Sequence, residues 1–274
     1  MPTAERVKQV VKAKYGEIAR KSSATKNDSG CSCGCADSDF TDLSEDYSAL
    51  AGYDADADLR LGCGLPTELA NFKEGDTVLD LGSGAGNDVF VARAMVGESG
   101  KVIGVDMTPE MHVKANENLA KLGYRNVEFR LGEIENLPVS AGEIDVVISN
   151  CVLNLVPDKE KAFSEIYRTL KPGGHFCISD IVTVGKLPAR LRENAELYAG
   201  CVAGALPKEE YLNIIRKAGF SDVAVKQEKR IELDDTILSK YLTTDEIQEY
   251  GTSETGLYSV TVYGTKPTSP KSSF

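Results

Sequence analysis

The stretch VLDLGSGAG, residues 78–86, decides the fold. It begins within DTVLDLG, which reads as a buried strand ending in glycine, with three glycines at Gly82, Gly84 and Gly86, and SGAGNDVFVARAMVG then reads as a helix. A glycine-rich turn between a strand and a helix lets a ligand lie against bare backbone. Outward from this unit the same alternation repeats. KVIGVDM reads as a second strand, and PEMHVKANENLAKLGY as a helix with Pro109 in its first turn. NVEFRLGEIENLP gives a third strand with its loop, EIDVVISNCVLNLVPD a fourth, KEKAFSEIYRTLKPGG a helix closed by glycine, and GHFCISDIV a fifth strand. Short apolar strands alternating with helices predict an α/β fold, a doubly wound and mostly parallel sheet covered on both faces.

That core is expected over residues 69–184. Before it, residues 1–68 are read as an N-terminal helix and a cysteine-bearing arm. The helix is expected over 4–21, with Val7, Val10 and Val11 on one face and Tyr15 following. The arm, KSSATKNDSGCSCGCADSDFTD, is too polar to bury much, and a second short helix is expected near Leu43 to Tyr53. Residues 185–274 are expected to form a C-terminal α+β subdomain. Its helices are ARLRENAELYAG and PKEEYLNIIRKAGF, its strands DVAVKQEKRIEL and GLYSVTVYGTK.

The chain has 274 residues and a net charge of −11, with 42 acidic against 31 basic residues, so its surface repels phosphate backbones and no nucleic-acid partner is expected. No apolar run approaches the roughly 18 residues of a membrane span. The amphipathic opening MPTAERVKQVVKAKYG lacks the apolar stretch of a secretory signal, so a cytoplasmic location and no membrane partner are expected. Seven cysteines, an odd number, argue against a disulfide framework in that compartment.

The glycine spacing in 82–86 is GxGxG, which does not meet the dinucleotide fingerprint. Asp80, at the end of the first strand, would repel a diphosphate there but suits a cationic cofactor. S-adenosylmethionine, with its ammonium and sulfonium, is such a cofactor. Opposite unit charges about 4 Å apart attract by about 4 kcal/mol at an effective dielectric near 20. Asp106 ends the second strand at the offset where an acidic residue meets ribose hydroxyls. Met107 is expected to pack on the adenine face, Glu133, Ile134 and Glu135 to meet the adenine edge, and Asn150 to lie beside the methionine part.

Ligands of open α/β sheets bind outside the carboxyl ends of the strands, and this rule sorts the cysteines. Cys177 lies inside the fifth strand and is expected to be a core thiol. Cys151 follows Asn150 at the mouth of the fourth strand, Cys201 lies in ELYAGCVAGAL after the fifth, and Cys63 sits between two glycines in LRLGCGLP. Either these three converge on one cleft as thiolate ligands for a soft ion, or they are unrelated small apolar residues. The run Cys31, Cys33, Cys35 binds metal, exchanges disulfides or does neither; the residues leave these open.

SNCVLNLVPDKE, LGCGLP and AGCVAGAL, in that company and with KYGEIARKSSATKNDSGC in the arm, resemble the arsenite S-adenosylmethionine methyltransferases over nearly the whole chain. The resemblance implies the class I methyltransferase fold, which is Rossmann-like, and binding of trivalent arsenic by Cys63, Cys151 and Cys201. It also implies disulfide exchange by an N-terminal cysteine, which Cys31 matches best. Where some members carry an aromatic residue before the Gly-Cys-Gly motif, this chain has Leu61. The implied substrate is arsenite or its thiol conjugate, and the implied reductant a thiol such as thioredoxin or glutathione. Arsenic's lone pair carries no proton, so no general base is expected and neither His112 nor His175 is given a catalytic role. Two other readings keep part of the pattern: a methyltransferase for a small organic acceptor such as a quinone or sterol, and a non-catalytic soft-metal module.

Overall fold

The computed structural model describes residues 3–24, 45–188, 204–233, 238–239 and 242–269. Cys31, Cys33, Cys35, Cys201 and the helix expected over ARLRENAELYAG lie outside these residues.

The elements run α1 (Ala4–Ala24), α2 (Pro66–Leu69), β1 (Thr77–Leu81), α3 (Asn87–Val96), β2 (Lys101–Asp106), α4 (Pro109–Leu122), β3 (Val127–Leu131) and β4 (Ile144–Asn150). A 3₁₀ turn at Leu153–Leu155 follows, then α5 (Lys159–Thr169), β5 (Leu170–Val184), α6 (Lys208–Lys217), β6 (Ser221–Ile231), α7 (Thr244–Thr252) and β7 (Gly256–Thr265). One seven-stranded sheet has the order β3-β2-β1-β4-β5-β7-β6. The first five strands are parallel, as expected. β7 pairs antiparallel with both β5 and β6, so the C-terminal strands extend the same sheet.

Strand alternation distributes the core over the two faces of the sheet. Leu79 and Leu81 of β1 pack with Phe163, Phe176 and Tyr211 in one buried cluster, while Val78 packs with Phe90, Val102 and Cys177 in another. Strand order reverses between β1 and β4, the switch point where open α/β sheets leave a crevice at their carboxyl ends. The site lies there.

Two local expectations differ from the structure. On α1 the buried stripe is Val7, Val11 and Ala19, whereas Val10 is 49% exposed. Positions four apart share a helical face and neighbours in sequence do not, so Val10 turns outward when Val7 and Val11 turn in. Residues 45–53 form turns, not a helix. Gly52 has φ +86° and the Asp54 side chain accepts from the backbone N–H groups of Asp56 and Ala57, geometry that competes with a helical ladder. α7, closed at its start by a capping box between Thr243 and Glu246, escaped the sequence reading.

Candidate active site

The glycine turn behaves as its sequence suggests. Gly84 has φ +51° and nothing within 4 Å of the position a Cβ would occupy, so its backbone faces open space. Gly86 has φ +102°, and a Cβ there would come within 2.8 Å of the Phe129 ring. Above the turn, a cleft open to solvent is lined by Asp80, Asp88, Asp106, Met107, Ile134 and Asn150, among others.

Three carboxylates crowd one side of this cleft. Asp80 is 3% exposed, and burial together with the charges of Asp88 and Asp106 pushes its carboxyl well above the usual range. Asp106 is raised as well, by burial, against the donations it accepts from the Thr108 N–H at 2.7 Å and the Gly84 N–H at 3.0 Å. Among the described residues, no lysine or arginine forms an ion pair with Asp80, Asp88 or Asp106. Unpaired buried negative charge of this kind is costly to the protein alone and suits a cationic ligand. The acidic residues past β3 differ. Lys8 of α1 pairs with Glu133 at 2.8 Å and with Glu135, and Lys12 reaches Glu133 at 3.2 Å. Helix α1 thereby spans the cleft's edge, lining it with Lys8, Val11 and Tyr15.

At its other end the cleft is lined by Cys151, and Cys63 packs in the same buried cluster behind the lining. Cys63 and Cys151, distant in sequence, are 3% and 5% exposed and belong to one buried cluster with Val11, Leu155 and Ile181. Cys151 adopts φ +60°, a left-handed conformation that a non-glycine residue enters at a cost of about 1–3 kcal/mol. The turn is held by its N–H donating to the Ser179 carbonyl at 2.8 Å, and it brings the residue round to line the cleft. The Cys63 N–H donates to Asn150 Oδ1 at 3.0 Å, and its carbonyl accepts from the Ser259 hydroxyl. Behind the thiols lies Asp180, 0% exposed, which accepts from the Tyr211 hydroxyl at 3.2 Å and is pushed up to about 7 by burial. Among the described residues no three His, Cys, Asp or Glu side chains gather as a metal site.

Cys177 is fully buried in the core, and burial pushes its thiol up to about 12. His112 reaches the Phe129 carbonyl at 3.2 Å, His175 stacks on Tyr263, and neither lines the cleft.

The sequence reading missed two polar residues of the site. Tyr47 is 3% exposed and donates to Asp88 Oδ1 at 2.7 Å. Asp88, in the first turn of α3, is raised to about 6 by burial, against the donations of Tyr47 and Asn150. An acidic residue in the first helical turn after a glycine loop was a usable signal for Asp88. Nothing local distinguished Tyr47, which reaches the site through an irregular turn.

A doubly wound sheet with a glycine turn and a carboxylate-lined crevice at its switch point defines a nucleoside-binding α/β protein. The family model described as a methyltransferase domain matches residues 72–219, more than half of the chain, and the chain belongs to that family. It is similar to arsenite methyltransferases. One from Halobacterium salinarum is 46% identical over 233 residues, covering 81% of this chain and 59% of that protein. A human one is 35% identical over 226 residues, covering 78% and 58%. The chain thus spans about three fifths of these curated relatives. Among solved structures, an arsenic(III) S-adenosylmethionine methyltransferase from Chlamydomonas reinhardtii superposes with a TM-score of 0.61 at 38% identity, over 71% of this chain and 64% of that one. No helix among the described residues is long and apolar enough to cross a membrane.

Proposed function

We propose that this chain transfers methyl groups from S-adenosylmethionine to trivalent arsenic held by cysteine thiolates. The observation that carries the reading is the pairing of two unlike features at one cleft: buried carboxylates that no lysine or arginine among the described residues pairs with, and the buried thiol of Cys151 in the cleft wall, packed in one cluster with Cys63 from a distant part of the chain.

The residues present fit the cofactor. Asp80, with Asp88 near it, is suited to the ammonium, Asp106 to the ribose hydroxyls, Met107 to the adenine face and Ile134 to its edge, over the bare backbone of Gly84. Asn150 lies where the methionine part would end. When bound, the cofactor supplies a methyl group on a sulfonium. Similarity to the arsenite methyltransferases supports arsenic as the acceptor. Arsenite, free or as a thiol conjugate, exchanges its ligands for Cys63, Cys151 and Cys201, soft donors for a soft ion. The arsenic lone pair then forms the As–C bond as the S–CH₃ bond breaks, and arsenic goes from the trivalent to the pentavalent state. No proton moves in that step, in keeping with two histidines outside the cleft. Positioning alone supplies about 7–11 kcal/mol when two reactants are held in near-attack geometry.

Return to the trivalent state needs two electrons. Protein thiols give them up by forming a disulfide, with Cys31 of the arm as exchange partner, and thioredoxin or glutathione reduces it. A reducing cytoplasmic setting suits this chemistry. Mapping of alkylated cysteines by mass tests the reading. Arsenite should protect Cys63, Cys151 and Cys201 and leave Cys177 equally unreactive in either condition. Indifference of Cys151 to arsenite would count against it.

A further inference from the structure

Asn150 occupies the end of β4, between the cofactor surface and the thiols, and its side chain is engaged on every polar side. Oδ1 accepts from the Cys63 N–H at 3.0 Å. Nδ2 donates to the Tyr47 hydroxyl at 2.7 Å and to the Gly64 carbonyl at 2.8 Å, with Asp88 Oδ2 at 3.3 Å. An amide nitrogen has two hydrogens, and the two short contacts take both. One side chain therefore clamps both sides of the residue pair Cys63–Gly64: the N–H of the first and the carbonyl of the second. The loop's glycines permit that approach. A Cβ at Gly62 would fall 2.6 Å from Asn150 Nδ2, and one at Gly64 would fall 2.6 Å from the Ser179 hydroxyl.

The clamp is itself held. The Tyr47 hydroxyl accepts from Asn150 and faces Asp88 Oδ1 at 2.7 Å, and it lies 3.2 Å from the Gly64 carbonyl as well. Tyr47 is buried, and its hydroxyl is held firmly in the protonated state by burial and by the Asp88 carboxylate, so it remains a donor. Asp88 is fixed in α3 directly after the glycine turn. A continuous buried network thus runs from the cofactor-facing turn through Asp88, Tyr47 and Asn150 to the backbone of Cys63. The neighbouring Cys151 follows Asn150 directly in the chain, so the same strand end carries one thiol and orients the other.

We propose that Asn150, braced by Tyr47 and Asp88, is the positioning residue that sets the Cys63 thiol beside Cys151. This deepens the reading of the cleft as an arsenic methylation site and rests on it for the nature of the ligand. It also assigns the asparagine amide chiefly to the thiol loop, with any contribution to the cofactor following from its place in the cleft wall.

The test uses the full chain, with Asn150→Ala and the milder Tyr47→Phe, which removes one hydroxyl and keeps the ring. Three quantities are read: the alkylation rate of each cysteine without arsenic, protection of each cysteine by arsenite, and S-adenosylmethionine affinity by calorimetry. In Asn150→Ala the Cys63 alkylation rate should rise by about tenfold or more and arsenite protection of Cys63 should be lost, while Cys177 stays inert. Tyr47→Phe should move the same quantities in the same directions by less. Unchanged Cys63 reactivity together with a large loss of cofactor affinity would overturn the proposal and give Asn150 to the cofactor. A rise in Cys177 reactivity in both variants would mean general unfolding and overturn it too. If arsenite fails to protect Cys63 in the unsubstituted protein, the arsenic reading fails, and the alkylation rates without arsenic still decide whether Asn150 positions the loop.

Discussion

The carboxylate-lined side of the cleft comes from one run of chain, Asp80 through Asp106, on two adjacent parallel strands and the glycine turn and helix α3 between them. The thiol-lined side is assembled from Cys63 before β1, Cys151 after β4, and residues of β5 and β7 that hold their backbones. The first surface is made by a local motif and carries carboxylates that no lysine or arginine among the described residues pairs with; the second is made by tertiary hydrogen bonds. Asp88 links the two through Tyr47 and Asn150, so damage to one at residues away from that link should leave the other standing, and four experiments press on that comparison.

The largest effect is expected at the thiols. Cys151→Ser should abolish methylation of arsenite and of a monomethylated trivalent arsenical, because a hydroxyl is a hard and protonated ligand, while cofactor affinity stays within about threefold of the parent. A radiolabel transfer assay beside calorimetry reads both. Cys63→Ser should fail on arsenite yet retain activity on the monomethylated substrate, which has only two exchangeable positions. The reverse pattern between the two variants would exchange their roles.

Next comes the charged side. Asp80→Ala should weaken S-adenosylmethionine binding by about tenfold to a hundredfold, the loss of a charge-assisted hydrogen bond, and leave arsenite protection of Cys63 and Cys151 in place. Calorimetry showing parental affinity would remove Asp80 from the cofactor site.

This division also explains what the sequence disclosed. The strand, glycine turn, Asp80 and Asp106 were legible because their geometry is set by spacing within one β-α-β unit. Cys63 and Cys151 were legible as thiols near strand ends, but their meeting depends on the Asn150 clamp, which no spacing encodes. Tyr47 was invisible for the same reason: it lies where a short helix was expected and turns formed. Val10 was misassigned because three valines within five positions hide which two share the buried stripe. Glu133 and Glu135 were expected at the adenine edge, yet their ion pairs with α1 could not be read from either segment alone.

A smaller effect follows from Asp88. Its carboxyl is raised from 3.8 to about 6 by burial, so folding favours the protonated form. Its stabilising contribution is present below about pH 4 and lost as pH rises through about 6, and each tenfold change in proton affinity corresponds to about 1.4 kcal/mol. Asp88→Asn should flatten this slope, making the cofactor-free protein about 1–3 kcal/mol more stable relative to the parent at pH 8 than at pH 4. Urea titrations at the two pH values measure it. A parent whose stability rises between pH 4 and 8 in step with the variant would contradict the burial of that charge.

The smallest effect is expected at α1. Lys8→Met removes its pairs with Glu133 and Glu135, and partly exposed pairs are each worth about 0–1 kcal/mol. Cofactor affinity should fall by about twofold to fivefold, and raising the salt concentration should weaken the parent but not the variant. Equal salt sensitivity in both would detach the helix from cofactor retention.

The central claim, that one cleft joins a cationic methyl donor to a thiolate-held arsenic atom, is tested most directly by following the methyl group. The protein is incubated with arsenite, methyl-labelled S-adenosylmethionine and excess thiol, and the arsenic species are then separated. Label in methylated arsenic, dependent on Cys151, is the predicted result. Cofactor bound with no label on arsenic, or label passing instead to an organic acceptor such as a quinone, would contradict it.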